Sequence, residues 1–397
     1  MATADRWLLP DGVEELLPLQ AEQVEQLRRK LLDLYHSWGY QLVMPPLIEF
    51  TDSLLVGLGS DIDLQTFKVV DQLSGRTMGI RADITLQTAR IDAHSLCREG
   101  PARMCYAGSV LHTRPKSLMA SRSPIQLGAE LYGDGGLASD VEIIALMLAT
   151  LQASGVEKIT LDLGHVGIYR ALIDLAQPTV EQERRLFDAL QRKSAVDIEQ
   201  AINDGIDHPA AADMLRGLSQ LNGDSSVLEQ ARTLLAAAPG EVGIAIDRLE
   251  QVAERIQARM PEVAVYFDLS EQRGFNYHTG LVFSALAPGF GQALANGGRY
   301  DDIGEVFGRA RPATGFNTDL KALLGFLPAA DSDAGSILVV AGDDLSPAQD
   351  SELWQTVQQL RGEGERVVFA LSSGMPSEVF ERQLVLSGGH WLIEPRH

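Results

Sequence analysis

Two cysteines in 397 residues leave little for disulfide or zinc chemistry. Cys97 and Cys105 lie outside any Cys-x-x-Cys pair. Neither a structural zinc site nor a disulfide framework is expected, and both thiols read as buried side chains in a reducing, cytoplasmic setting. Long apolar runs are also missing. The longest, IIALMLATL (143–151), is too short to span a bilayer and reads as a buried helix. The N-terminal MATADRWLLPDG has no basic segment followed by an apolar run, so no secretory leader is expected. Basic residues are scarce: 33 Lys and Arg face 54 Asp and Glu, a formal net charge of −21. That balance argues against a broad nucleic-acid surface and against contact with anionic membranes. It leaves room for a small anion site. Arg114, Lys116 and Arg122 stand in SVLHTRPKSLMASRSP (109–124) with no acid among them, facing a carboxylate, a phosphate or a partner's acidic patch.

What is present suits a globular protein of two or three domains, with 45% apolar and 22% charged residues. Val24, Leu27, Leu31, Leu34, Tyr35 and Trp38 recur at helical spacing between Pro18 and Gly39, predicting a helix over 18–38. Strand-like YQLVMPPLIEF (40–50) follows, held to an edge or an end by Pro45 and Pro46. TFKVVD and TMGIRA flank QLSGR as a hairpin. Residues 84–96 read as a helix, 103–113 and 124–133 as two strands, 139–154 as a helix and 158–164 as a strand. Residues 165–258 are Ala- and Leu-rich and nearly all helical, an insertion between strand-rich parts. Strands return at 263–270 and 275–286, NGGRYDD (296–302) reads as a glycine turn, and 314–327 as a strand running into a helix. After the linker 328–335, the remainder reads as βαβαβ with a parallel sheet and helices over 348–362 and 377–388. That unit carries no G-x-G-x-x-G, which argues against a dinucleotide site.

Three short stretches gather polar groups. In IRADIT (80–85), Arg81, Asp83 and Thr85 share one strand face if the strand continues; Asp83 then binds an ammonium group, or pairs with Arg81 at the surface. In PIQLGAELYG, Gln126, Gly128 and Glu130 share a face. That pattern suits a small polar ligand lying on a sheet with Glu130 holding a cation, or simply a solvated face. RGFNYHTG (273–280) concentrates Arg273, Tyr277 and His278 near two glycines, a fork for a carboxylate beside two rings. His278 has no Ser or Cys motif partner, so a catalytic triad is not expected.

In this order the pieces resemble the catalytic core of histidyl-tRNA synthetase, a class II enzyme, from about residue 8 to 326. WGYQLVMPPLIEF resembles motif 1, SVLHTRP…IQLGAE motif 2, RGFNYHTG the histidine-specific RGLDYYTG, and NGGRYDDI with TGFNTDLKAL the GGRYD loop and motif 3. The resemblance implies an α+β fold: a class II synthetase-like antiparallel sheet flanked by helices in residues 1–327, interrupted by the insertion at 165–258, with a small α/β domain at 335–397. It implies histidine recognition by Asp83, Thr85, Arg122, Gln126, Glu130, Arg273, Tyr277 and His278.

The departures fall on the ATP side. Leu111 stands where the synthetase's Arg holds the α-phosphate, and Thr113 where motif 2 has Glu. Ala322 and Lys321 replace the motif 3 Arg and its neighbouring Glu. Charge stabilisation is the protein's main contribution to adenylate formation, and Leu supplies none. The resemblance therefore implies no catalytic residue, cofactor or metal. The whole pattern resembles the regulatory subunits of ATP phosphoribosyltransferase, synthetase paralogues of histidine biosynthesis. Such a subunit implies a short-form catalytic partner, a homodimer within a hetero-octamer, feedback inhibition by histidine, and no tRNA or membrane binding. The competing readings are an active histidyl-tRNA synthetase, a synthetase-like tRNA-binding sensor and an amino-acid ligase.

Overall fold

The computed structural model describes residues 7–55, 60–115, 120–272, 275, 277–327, 335–341, 344–371 and 380–396. The chain divides into two compact units, Met1–Leu327 and Pro328–His397.

The first unit begins with helix α1 (Pro18–Ser37), which buries Val24, Leu27, Leu31 and Tyr35 along one stripe. Gly39, at φ 84°, stops it, and the Tyr40 amide turns back to the carbonyl of Tyr35 at 3.0 Å. The prolines then split the extended stretch into β1 (Gln41–Leu42) and β2 (Ile48–Phe50). Short helices α2 (Thr51–Leu54) and α3 (Ser60–Gln65) precede the hairpin β3 (Phe67–Val70) and β4 (Thr77–Ile80). Helix α4 (Thr85–Arg90) continues as one π-helical stretch, Ile91–Leu96. Strands β5 (Ala102–Ser109) and β6 (Ile125–Tyr132) lead to the buried helix α5 (Leu137–Ala153) and strand β7 (Thr160–His165).

The insertion comprises α6 (Val166–Ala176), α7 (Val180–Gln191), α8 (Ala195–Gly205), α9 (Pro209–Leu218), a two-residue strand β8 (Asn222–Gly223), α10 (Ser226–Leu234) and α11 (Gly240–Arg259). Strands β9 (Ala264–Asp268), β10 (Leu281–Leu286), β11 (Ala295–Arg299) and β12 (Ala313–Asp319) follow, then α12 (Leu320–Leu323).

Nine strands form the main sheet in the order β1-β5-β6-β12-β11-β10-β7-β9-β8, and every pair from β5 to β7 is antiparallel. β1 lies at one edge, and β2 at the edge of a three-stranded sheet β2-β4-β3, where the prolines are tolerated. This is the class II synthetase-like sheet that the motifs implied. Period-two alternation sorts its faces. Leu127, Ala129, Leu131, Phe283 and Phe316 join the core beneath α1, α5 and α11, and the opposite face is polar and glycine-rich.

Four local readings change. Residues 295–299 are a strand, not a turn, and neither Gly297 nor Gly298 has a left-handed φ. They are glycines because a Cβ at Gly297 would sit 2.4 Å from the Phe283 ring, and one at Gly298 2.7 Å from His278. The strand of IRADIT ends at Ile80, so Arg81, Asp83 and Thr85 do not share a strand face. Residues 275–280 precede β10 rather than belonging to it. Cys97 is exposed, at φ 47° after the π-helical stretch; only Cys105 is buried.

The second unit contains β13 (Ile337–Val339), α13 (Pro347–Gly362), β14 (Val367–Phe369), β15 (Arg382–Ser387) and β16 (His390–Pro395) in the order β14-β13-β15-β16. β13 runs parallel to both neighbours, but β15 and β16 are antiparallel. The helix expected over 377–388 is therefore strand from Arg382 onward, while 377–379 lie outside the described residues. Gly388 and Gly389, at φ 60° and 90°, supply the two left-handed positions of a tight hairpin, which a helix could not continue through.

Candidate functional site

Strand register builds the site. Across the polar face one row reads Glu130, Gly315, Gly298, Val282 and Gly164. The adjacent row reads Gly128, Asn317, Asn296, Ser284 and Asp162. These glycines make room for neighbours: the Glu130 carboxylate lies over Gly315, the His278 ring over Gly298 and the Tyr106 hydroxyl over Gly128.

Glu130 is the carboxylate of this face. It is 1% exposed and accepts hydrogen bonds from the hydroxyls of Tyr106, at 3.0 Å, and Tyr300. Tyr106 also contacts the Thr85 hydroxyl at 3.1 Å, and Tyr132 lies edge-on to Tyr300. None of these partners is a cation. Burial pushes the Glu130 carboxyl up to about 8, and the Asp83 carboxylate acts in the same direction. Gly315 must be glycine here, because a Cβ would overlap the Glu130 carboxylate.

A second group joins the first. Asp83 accepts from the Gln126 amide at 2.9 Å and from the Thr85 backbone N–H at 2.7 Å. Gln126 in turn accepts from the Ile84 N–H at 2.9 Å. Asp83, Thr85, Gln126 and Glu130 thus form one connected network. Arg81 points elsewhere, donating to the carbonyls of Ser109 and Pro45 at 2.9 and 2.8 Å. The Tyr277 ring lies tilted against His278 with centroids 4.1 Å apart and meets Tyr300 edge-on at 6.4 Å. Next to this segment, Gln272 is buried with neither side-chain amide atom hydrogen-bonded. Arg273 lies outside the described residues.

Arg122 stands apart from this network. Its guanidinium donates to the carbonyls of His112 and Asp11, both at 3.0 Å, and its backbone N–H to that of Gly12 at 2.7 Å. Lys321 pairs with Glu14 at 3.3 Å and reaches Ser123. Thr113 ties to the end of α3 through the carbonyls of Leu64 and Gln65. Two cationic side chains on the ATP side are thus spent on the chain's own N-terminal segment. Arg114 is exposed, and Lys116 lies outside the described residues.

The tyrosines that hold Glu130 escaped the sequence reading. Their signal is cross-strand: Tyr106 sits opposite Gly128, with its hydroxyl in the space a Cβ would take. Tyr300 lay hidden in the stretch read as a turn.

A histidyl-tRNA synthetase family model matches residues 12–323, and one described as the ATP phosphoribosyltransferase subunit HisZ C-terminal domain matches 337–394. A relative from Pseudomonas syringae pv. syringae (strain B728a), named ATP phosphoribosyltransferase regulatory subunit, is 55% identical over 400 residues, covering 100% of this chain and 99% of its own. The chain belongs to the ATP phosphoribosyltransferase regulatory subunit family. A relative of the same name from Azotobacter vinelandii is 54% identical over 399 residues, with the same coverage. As a member of this family the chain is a non-catalytic paralogue of the synthetases. A solved structure from Bacillus halodurans, described as an ATP phosphoribosyltransferase regulatory subunit/histidyl-tRNA synthetase, matches with TM-score 0.81 at 27% identity, over 94% of both chains. A histidyl-tRNA synthetase from Nostoc sp. PCC 7120 shares the fold, with TM-score 0.78 at 17% identity over 98% of this chain and 97% of that one. Among the described residues no helix is long and apolar enough to cross a membrane, and no group of three or more His, Cys, Asp or Glu is arranged to hold a metal.

Proposed function

We propose that this chain activates a short-form ATP phosphoribosyltransferase catalytic subunit in the cytoplasm and conveys feedback inhibition by histidine. The observation that carries this reading is the split fate of one site. The amino-acid half retains a connected Asp83–Gln126–Thr85–Glu130 network, whereas the ATP half has Leu111 and Ala322 where phosphate-binding arginines would stand.

Histidine enters with its ammonium group toward Glu130 and Asp83, and with its imidazole near Tyr277 and His278. Its carboxylate falls to Arg273 or to Arg122. Binding favours one state of the complex over another, a coupling of about 1–3 kcal/mol in typical cases. The motif 1 helix and strand support a two-fold homodimer, which doubles with the catalytic subunits into a hetero-octamer. The acidic balance supports a life without tRNA.

The test combines the purified chain with a short-form catalytic subunit and follows phosphoribosyl-ATP formation with and without histidine. Activation on mixing, reversed by histidine, is the expected result. No complex and no activation would sink the proposal.

A further inference from the structure

The helical insertion grips the segment that carries Tyr277 and His278, and the grip centres on Phe275. The ring of Phe275 packs against Tyr169 of α6 and Phe187 of α7, each with centroids 5.3 Å away. The Arg170 guanidinium sits 4.8 Å from the same ring centroid, and its Nη2 donates to the Phe275 carbonyl at 2.6 Å. Side chain and backbone of one loop residue are therefore both held by the insertion.

Arg170 is the telling member of this set. Burial works against its charge, yet its guanidinium donates to a main-chain carbonyl rather than to an acid. Guanidinium over an aromatic face adds a directional contact to simple packing. Together these fix both the position and the orientation of residue 275. Only residue 276 separates it from Tyr277, whose ring touches the tyrosine that holds Glu130.

We infer that Phe275, clamped by Tyr169, Arg170 and Phe187, is the positioning residue for the Tyr277–His278 ring pair, so that helices α6 and α7 set the affinity of the pocket for its amino acid. This inference rests on the reading that histidine binds there. It gives the insertion a role: a partner that moves α6 or α7 changes histidine affinity, and histidine changes the partner's affinity by the same factor.

The test titrates L-histidine by calorimetry into the full-length chain and four variants: Phe275→Ala, Phe275→Tyr, Arg170→Met and Arg170→Lys. Phe275→Ala and Arg170→Met are expected to weaken histidine binding by about tenfold or more, while circular dichroism shows native helix content. Phe275→Tyr keeps the ring and is expected to bind nearly as the native chain does. Arg170→Lys, which keeps the charge but loses the planar fork, is expected to fall between. Val196→Ala, exposed on α8, is the control and leaves affinity unchanged. Arg170→Met keeps the apolar stem and guards against an unfolded Phe275→Ala. Native affinity in both Phe275→Ala and Arg170→Met would overturn the inference. A native chain that does not bind histidine would overturn the pocket reading instead, and this inference with it.

Discussion

Replacing Glu130 by Gln isolates the proton from the shape of the side chain. In the folded chain burial pushes the carboxyl up to about 8, and the hydroxyls of Tyr300, Thr85 and Tyr106 only partly offset it. In the unfolded chain a Glu titrates near 4.3 to 4.5. Below that range both states hold the proton. Between about pH 4.5 and pH 8 the folded state holds it and the unfolded state does not, so stability falls as pH rises, by up to about 1.4 kcal/mol per unit. Above about pH 8 the loss is complete, at roughly 4–5 kcal/mol. Gln has no such proton, keeps the volume and still accepts a tyrosine hydroxyl. Guanidinium unfolding at about pH 6 and about pH 8 is the assay. The native chain should lose roughly 2–3 kcal/mol relative to Glu130→Gln between those values. Parallel profiles would refute the assignment of a neutral, buried Glu130. The same carboxyl must ionise to receive an ammonium group. Below its raised pKa the carboxyl carries the proton, so histidine binding at neutral pH should release protons, measurable by calorimetry in buffers of different ionisation heat.

Other outcomes follow from the same geometry. Gly315→Ala places a methyl group on the Glu130 carboxylate and 2.9 Å from the Ala129 carbonyl. Displacing the carboxylate costs its tyrosine hydrogen bonds, so roughly 2–4 kcal/mol of stability should be lost, together with detectable histidine binding in a calorimeter. Gln272→Leu removes two buried polar atoms without partners. It should raise the unfolding midpoint by the equivalent of about 1 kcal/mol or more, and a lowered midpoint would mean the amide has work to do. Arg311→Met strands Asp92, its buried partner at 3.0 Å, and should cost about 3–5 kcal/mol in denaturant unfolding at neutral pH. Histidine-dependent ATP–pyrophosphate exchange should be undetectable, and measurable exchange would contradict the reading of Leu111 and Ala322.

Much of this was legible in the sequence because period and punctuation are local. Helix α1 follows from apolar spacing between Pro18 and Gly39, and the split of β1 from β2 follows from Pro45 and Pro46. Gln126 and Glu130 share a face because strands alternate. What the sequence hid depends on neighbours distant along the chain. The glycines of NGGR look like turn formers until Phe283 and His278 are seen filling the space of their absent side chains. Arg122 looks like a free anion site until the carbonyls of Asp11 and His112 are seen to occupy it. Residues 382–387 have enough apolar character for either a helix or a strand, and only pairing with β13 and β16 decides between them.

An inherited amino-acid pocket that regulates rather than catalyses leaves a signature in the assembled complex. The measurement is phosphoribosyl-ATP formation by that complex across a histidine titration, with the native chain and with Glu130→Gln. Both chains should activate the catalytic subunit, and only the native chain should confer inhibition by histidine. Equal inhibition through the two chains would contradict that role of the pocket.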